Sequence, residues 1–242
     1  DARGPASAAL RVMSFLRRFG PDGRRERLRS GVAGGPLRAY LDVPFPAAST
    51  AVESLELLAV DFETTGLDPS RDHLLSVGFV PVVGRSVVLA GARQFVVRAD
   101  VEVGQSATVH GVTDDAVAAG VDLEVAMAAL LEALTGRVML AHFARLERRF
   151  LSVVCRRLYG IPFACSAVDT LELQARLVTS AWRQDPADGE LRLWAAREKF
   201  GLPRYRAHEA LTDALGCAEL YLAQVAELGP GRAATLRDLQ RR

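Results

Sequence analysis

Apolar residues run almost continuously through Leu55–Thr64, which predicts a strand at the centre of a sheet. Two further strands, His73–Val83 and Ser86–Arg98, are joined by a tight Gly84-Arg85 turn, the pattern of an antiparallel hairpin. Thr113 is placed to cap a helix whose first turn holds Asp114 and Asp115, where the helix dipole favours acids. Leu123 to Leu134 reads as a helix ended at Gly136, Arg137–Ala141 as a short strand, and Ala144 to about Tyr159 as a helix burying Leu146, Phe150 and Val153 or Val154. Ala167–Asp169 reads as a last strand. Glu190–Phe200 predicts a helix with Leu191, Trp194, Ala195 and Glu198 on one face, closed by Gly201 and Pro203, and a final helix spans Glu209 to about Glu227. Antiparallel-type strands first, then strands alternating with helices, predict an α/β domain around one mixed sheet of five strands flanked by helices.

The first fifty residues look different. Val12, Phe15, Leu16 and Phe19 form an apolar stripe on a short helix, stopped by Gly20-Pro21-Asp22-Gly23. An arginine-rich run and a Gly- and Pro-containing passage follow. The pattern divides the chain into an arginine-rich, partly helical extension (1–50), a main domain (51–226) and a C-terminal tail (227–242). The extension reads either as a nucleic-acid or partner arm, or as a helical strap packed on the main domain with a solvated arginine face.

Half of the 242 residues are hydrophobic, enough for a proper core and against wholesale disorder. Lys199 is the single lysine, so arginine abundance reflects codon bias and says little by itself about phosphate binding. Net charge is +1, but residues 1–50 hold nine arginines against four acids, which is 9 − 4 = +5 and leaves 1 − 5 = −4 for the rest. A body of that charge with a carboxylate cluster fits an enzyme that meets polyanions through metal ions rather than through a broad basic face. Cys155, Cys165 and Cys217 form no CxxC, which reads as reduced thiols in a cytoplasmic protein. No apolar run reaches the roughly 18 residues of a membrane span, and no signal-peptide pattern is visible. The chain begins at Asp1, as a fragment or trimmed chain would.

The central strand carries two acids, Asp61 and Glu63, which alternate with Phe62 and so share a face. At about 7 Å their repulsion is on the order of 2 kcal/mol at an effective dielectric near 20, and a cation between them reverses the sign. Asp213 is an isolated acid among small and apolar residues in the last helix, whose Gly216 and Cys217 would let it approach the sheet closely. His208 lies five residues earlier, where regular helix geometry would not align it with Asp213, although an entry loop could swing it over. Glu147, flanked by arginines, reads as a fourth ligand or as a plain ion-pair partner.

In this order the residues resemble the DEDD-type 3′–5′ exonucleases, histidine branch, the family of the bacterial DNA polymerase III epsilon proofreading subunit and RNase T. The family's first motif, DxETTG, is matched by Asp61, Glu63, Thr64, Thr65 and Gly66; its third, HxAxxD, by His208, Ala210 and Asp213. His142 to Leu151 resembles the middle motif, with Phe143 at the usual asparagine position and Glu147 where aspartate is usual. The resemblance covers about residues 55–226. It implies an RNase H-like fold, and two Mg²⁺ or Mn²⁺ ions held by Asp61, Glu63, Glu147 and Asp213, with His208 as general base. It further implies that the Thr64-Thr65-Gly66-Leu67 turn receives the terminal nucleotide, with Leu67 against its base. His110 and His142 are weaker candidates for substrate contact, with a structural hydrogen-bonding role as the alternative; Tyr205 and Trp182 are candidates for base stacking or for packing. Partners would be 3′ ends of single-stranded DNA or RNA, with a polymerase or other protein docking through residues 1–50. The competing expectation is a catalytically weakened nucleic-acid or polymerase-binding module on the same fold.

Overall fold

The computed structural model describes residues 20–99, 113–179, 189–205, 208–229 and 233–241. Its centre is β1 (Glu56–Thr64), paired antiparallel with β2 (Leu74–Val83) and parallel with β5 (Val138–Ala141). β5 pairs parallel with β6 (Ala167–Asp169), and β2 also carries β3 (Ser86–Val87) and β4 (Arg93–Val96), both antiparallel. The mixed sheet expected from the sequence is thus present, with the outer hairpin strand split in two. Val88 N–H donates to Pro81 O at 2.8 Å, but Pro81 has no N–H to return the bond, and the chain leaves the ladder for a short 3₁₀ turn, Leu89–Gly91. That makes six strands in place of five.

Alternation along β1 explains why its sequence is apolar throughout. Leu57 and Ala59 face a core shared with α8 (Ala210–Leu228), through Ala214, Cys217, Ala218 and Tyr221. Leu58 and Val60 face the opposite core, built from Met127, Leu130, Leu131 and Leu134 of α4 (Leu123–Leu134) and Leu151, Val154 and Cys155 of α5 (Arg145–Tyr159). Asp61 and Glu63 continue the first series, so their parity places them on the α8 side.

Packing continues beyond both positions where composition shifts. Helices α1 (Pro21–Arg29) and α2 (Pro36–Asp42) lie in the arginine-rich stretch, and Leu37, Tyr40 and Leu41 are fully buried in the α4 core. Tyr40 donates to Ala164 O at 2.9 Å and stacks on Phe163 at 5.6 Å. The described part of this stretch is a packed strap; the apolar stripe at Val12–Phe19 lies outside the described residues. At the other end, Leu236 and Leu239 of α9 (Leu236–Leu239) are buried in the α8 core.

Thr113 caps α3 (Asp114–Ala118), its Oγ1 accepting from Ala116 N. Two helices differ from expectation. α6 (Thr170–Val178) starts directly from the last strand, because Asp169 both ends β6 and caps the helix. α7 (Leu193–Lys199) buries Leu193, Ala196 and Arg197 rather than the Leu191, Trp194, Ala195 and Glu198 face. Arg197 can be buried because its charge is answered: Nη2 lies 2.7 Å from Glu219 Oε2, and the guanidinium is 5.0 Å from the ring centroids of both Trp194 and Tyr205. Tyr205, which also donates to Glu219, is therefore a packing residue; Trp182 lies outside the described residues.

Candidate active site

Asp61 and Glu63 come from the last half of β1 and Asp213 from the first turn of α8, and one oxygen of each lies within 4.8 Å of the others. The sequence attributes this close approach to small residues on α8. Cys217 does lie in the core facing β1, but Gly216 packs toward Trp194 and Arg197, and Gly78, paired with Asp61 across the sheet, sits directly against the backbone of Ala210 and Leu211. A Cβ at Gly78 would overlap that backbone, so this glycine is what lets α8 touch the strand.

Burial and mutual repulsion set the electrostatics. Burial first, then the nearby Glu147, Asp213 and Glu63 charges, lifts the Asp61 carboxyl well above the usual range. Glu63 is pushed up to about 8 by burial and by Asp213 and Glu209, and Asp213 to about 6, burial outweighing the His208 N–H that holds it down. Glu147, buried in the first turn of α5, is pushed up to about 8, mainly by burial. It stands outside the three-carboxylate group but close enough to Asp61 to raise its pKa most among the charges. Asp213 Oδ1 and Glu147 Oε2 are buried with no hydrogen-bond donor. A set of carboxylate oxygens, some without donors and all resisting ionisation together, suits one or more hard divalent cations.

His208 has a left-handed backbone, φ 66°, which turns the chain so that its N–H donates to Asp213 Oδ2 at 3.2 Å. Its imidazole is exposed at the rim. The glycine-containing turn after β1 is self-supporting: Thr64 Oγ1 donates to Gly66 O at 2.7 Å, and Thr65 Oγ1 accepts from His73 N at 2.9 Å. Asp72 occupies the space a Gly66 side chain would need and accepts from Asp68 N at 2.7 Å. The threonine hydroxyls thus shape the turn, and Leu67, 73 % exposed, projects from it.

His142 does not present a free ring edge. Nε2 lies 2.8 Å from Leu191 O, a pure acceptor, so it carries the proton; Nδ1 then accepts from Thr170 Oγ1 at 2.9 Å. Burial lowers its pKa to about 4, so it is neutral. His110 lies outside the described residues. Asp169 is a participant that sequence reading did not single out. Its carboxylate accepts from Phe143 N, Ala144 N and Leu171 N, each at 2.9 Å, and so clamps the start of both α5 and α6. The signal was an acid immediately before Thr-Leu-Glu, an N-cap pattern hidden in a strand end.

The exonuclease family model of RNase T type matches residues 58–221, a span that contains all four carboxylates and His208. The chain belongs to this exonuclease family. The DEDD-type resemblance and the RNase H-like fold read from the sequence are borne out. It is 27% identical over 174 residues to the PolC-type DNA polymerase III of Thermotoga petrophila, a match covering 72% of this chain and 12% of that protein. The Thermotoga maritima polymerase of the same type is 28% identical over 166 residues, 68% of this chain and 11% of that one. The chain thus spans only a small fraction of these relatives' length. In fold it is similar to E. coli Exonuclease I solved with a dT13 oligonucleotide (TM-score 0.58, 19% identity, 74% of this chain and 42% of that one). Cell-death related nuclease 4 is similar too (TM-score 0.59, 13% identity, 72% and 65%). No helix among the described residues is long and apolar enough to cross a membrane.

Proposed function

We propose that this chain is a nuclease that removes nucleotides one at a time from the 3′ end of a single strand, using two Mg²⁺ or Mn²⁺ ions. The observation that carries the reading is the convergence of Asp61, Glu63 and Asp213 within 4.8 Å in a chain of the exonuclease family. These three would hold the metal, with Glu147 directly or through water; when bound, the metal supplies an activated water and charge neutralisation at the phosphate. His208 accepts a proton from the attacking water, its exposed position allowing it to exchange that proton with solvent. Water oxygen bonds to phosphorus, the bond to the 3′ oxygen of the preceding nucleotide breaks, and that oxygen takes up a proton. The products are a shortened strand with a 3′ hydroxyl and a nucleoside 5′-monophosphate. The turn carrying Leu67 would receive the terminal nucleotide, with Leu67 packed on its base.

Single-stranded DNA is the first substrate to try, because an Exonuclease I of this fold was solved with a dT13 oligonucleotide; RNA is the second. The PolC-type relatives make a polymerase the first partner to try, with residues 1–50 as the docking segment. The test is incubation of 5′-labelled and 3′-labelled DNA and RNA strands with Mg²⁺ or Mn²⁺. The 5′ label should appear in a ladder of stepwise shorter strands and the 3′ label as a mononucleotide, and both products should vanish with EDTA or Asp61→Ala. Glu147→Gln should slow the reaction if the fourth carboxylate works as a ligand. The departures at Phe143 and Glu147 motivate the second reading, a weakened binding module; strand binding without shortening would favour it.

A further inference from the structure

An arginine-lined cleft of about 540 Å³ lies on the outer side of the helix that carries Glu147. One wall is the outer face of α5, where Arg145, Arg149, Ser152 and Arg156 follow i, i+4, i+7 and i+11, with Arg148 alongside. The other is formed by Arg24 of α1 and by Asp68–Ser70, which directly follow Leu67. Five arginines face one acid, Asp68.

Arginine number alone means little in this chain; what marks this cleft is that five converge on it and, among the described residues, none of the five is matched by a carboxylate. Arg25, Arg29, Arg38, Arg85, Arg98, Arg137, Arg197 and Arg204 each lie within ion-pair distance of a carboxylate. Among the described residues, none of the five cleft arginines has such a partner. Their arrangement also runs against local stability. Arg145–Arg149 and Arg145–Arg148 are like-charge neighbours on the helix, each unfavourable by about 0.2–0.5 kcal/mol. Arg145 and Arg148 lie in the first turns, where the helix dipole disfavours cations. A polyanion in the cleft relieves both.

We propose that this cleft binds the sugar-phosphate backbone of a nucleic-acid strand, extending the grip on substrate beyond the reacting nucleotide. The inference rests on the nuclease reading, because both walls continue site elements: the first turn of α5 carries Glu147 inward and Arg145 and Arg148 outward, and the second wall continues the Leu67 turn. The stripe from Arg145 to Arg156 is about 16 Å long at ~1.5 Å per residue, long enough to follow more than one phosphate of a strand.

The test is fluorescence-anisotropy binding of labelled dT20 to the full chain in EDTA, where turnover is blocked. Arg149→Gln/Arg156→Gln should weaken Kd at least tenfold and make the log Kd against log salt slope shallower by about 1.4, at ~0.7 per phosphate contact on a single strand. The control, Arg85→Gln/Arg98→Gln, removes the same charge elsewhere and should stay within twofold. Equal weakening by both doubles, or by neither, overturns the inference; so does displacement of dT20 by oligoglutamate at equal charge concentration, which assigns the cleft to an acidic protein. Because the readout is binding, a wild type that binds through the cleft yet shortens no strand contradicts the nuclease reading alone.

Discussion

Asp61, Glu63, Glu147 and Asp213 are costly residues for the metal-free fold. Burial first, and neighbouring carboxylates after it, raise all four, Glu63 and Glu147 to about 8 and Asp213 to about 6, so the folded protein holds protons that the unfolded chain releases nearer pH 4. With more protons bound when folded, stability falls as pH rises through that interval. The metal-free protein should therefore lose Tm between about pH 5 and pH 8, measured by calorimetry in EDTA. Mg²⁺ or Mn²⁺ should raise Tm more at pH 8 than at pH 5, since ligation requires the ionised forms. Phe143 is a second residue under strain, with φ 72° in the left-handed region where asparagine is tolerated and phenylalanine is not, and with its side chain 46 % exposed. Phe143→Asn should stabilise by about 1 kcal/mol in urea unfolding, because little packing is lost and backbone strain falls. The carboxylates were legible at this scale because acids are conspicuous in apolar strands and helices. Asp169 shows in the sequence only as an N-cap, because the Phe143 and Ala144 N–H groups it also accepts are brought near by the fold, and Asp72 looks like an ordinary turn acid.

At the scale of elements, the site depends on how α8 and α5 are seated. Gly78→Ala should destabilise by about 3 kcal/mol or more and should also lower activity, because the added methyl meets helix backbone, which cannot rotate aside. Asp169→Ala leaves three N–H groups without their acceptor and should destabilise by about 2 kcal/mol, while activity falls as the first turn of α5, with Glu147, loosens. Urea unfolding of each variant checks the first part and initial rates on single-stranded DNA the second. Strands and helices with strong period, such as β1 and α4, were readable end to end. α6 was hidden by having no loop before it, and the face of α7 was misplaced because a buried Arg197 looks polar in a pattern that cannot know about Glu219.

At the scale of the whole molecule, the sheet is covered on both faces, one by α8 and the C-terminal α9 and the other by α4, α5 and the strap α1–α2. Local composition draws limits near residues 50 and 226, but Tyr40 and Leu239 are buried in cores that belong to the middle of the chain. Long-range burial of that kind leaves no trace in a local pattern. The same cores fix the β1 edge, α8 and α5 relative to one another, and so hold one oxygen from each of three carboxyl groups within 4.8 Å. A divalent cation turns this arrangement from a cost into a binding site. The deciding measurement is calorimetric titration of Mn²⁺ into the wild type and Asp61→Ala at pH 7. The wild type should bind saturably with proton release, seen as a buffer-dependent enthalpy, and Asp61→Ala should lose both. No saturable binding, or the same isotherm for both proteins, would contradict a cation site here.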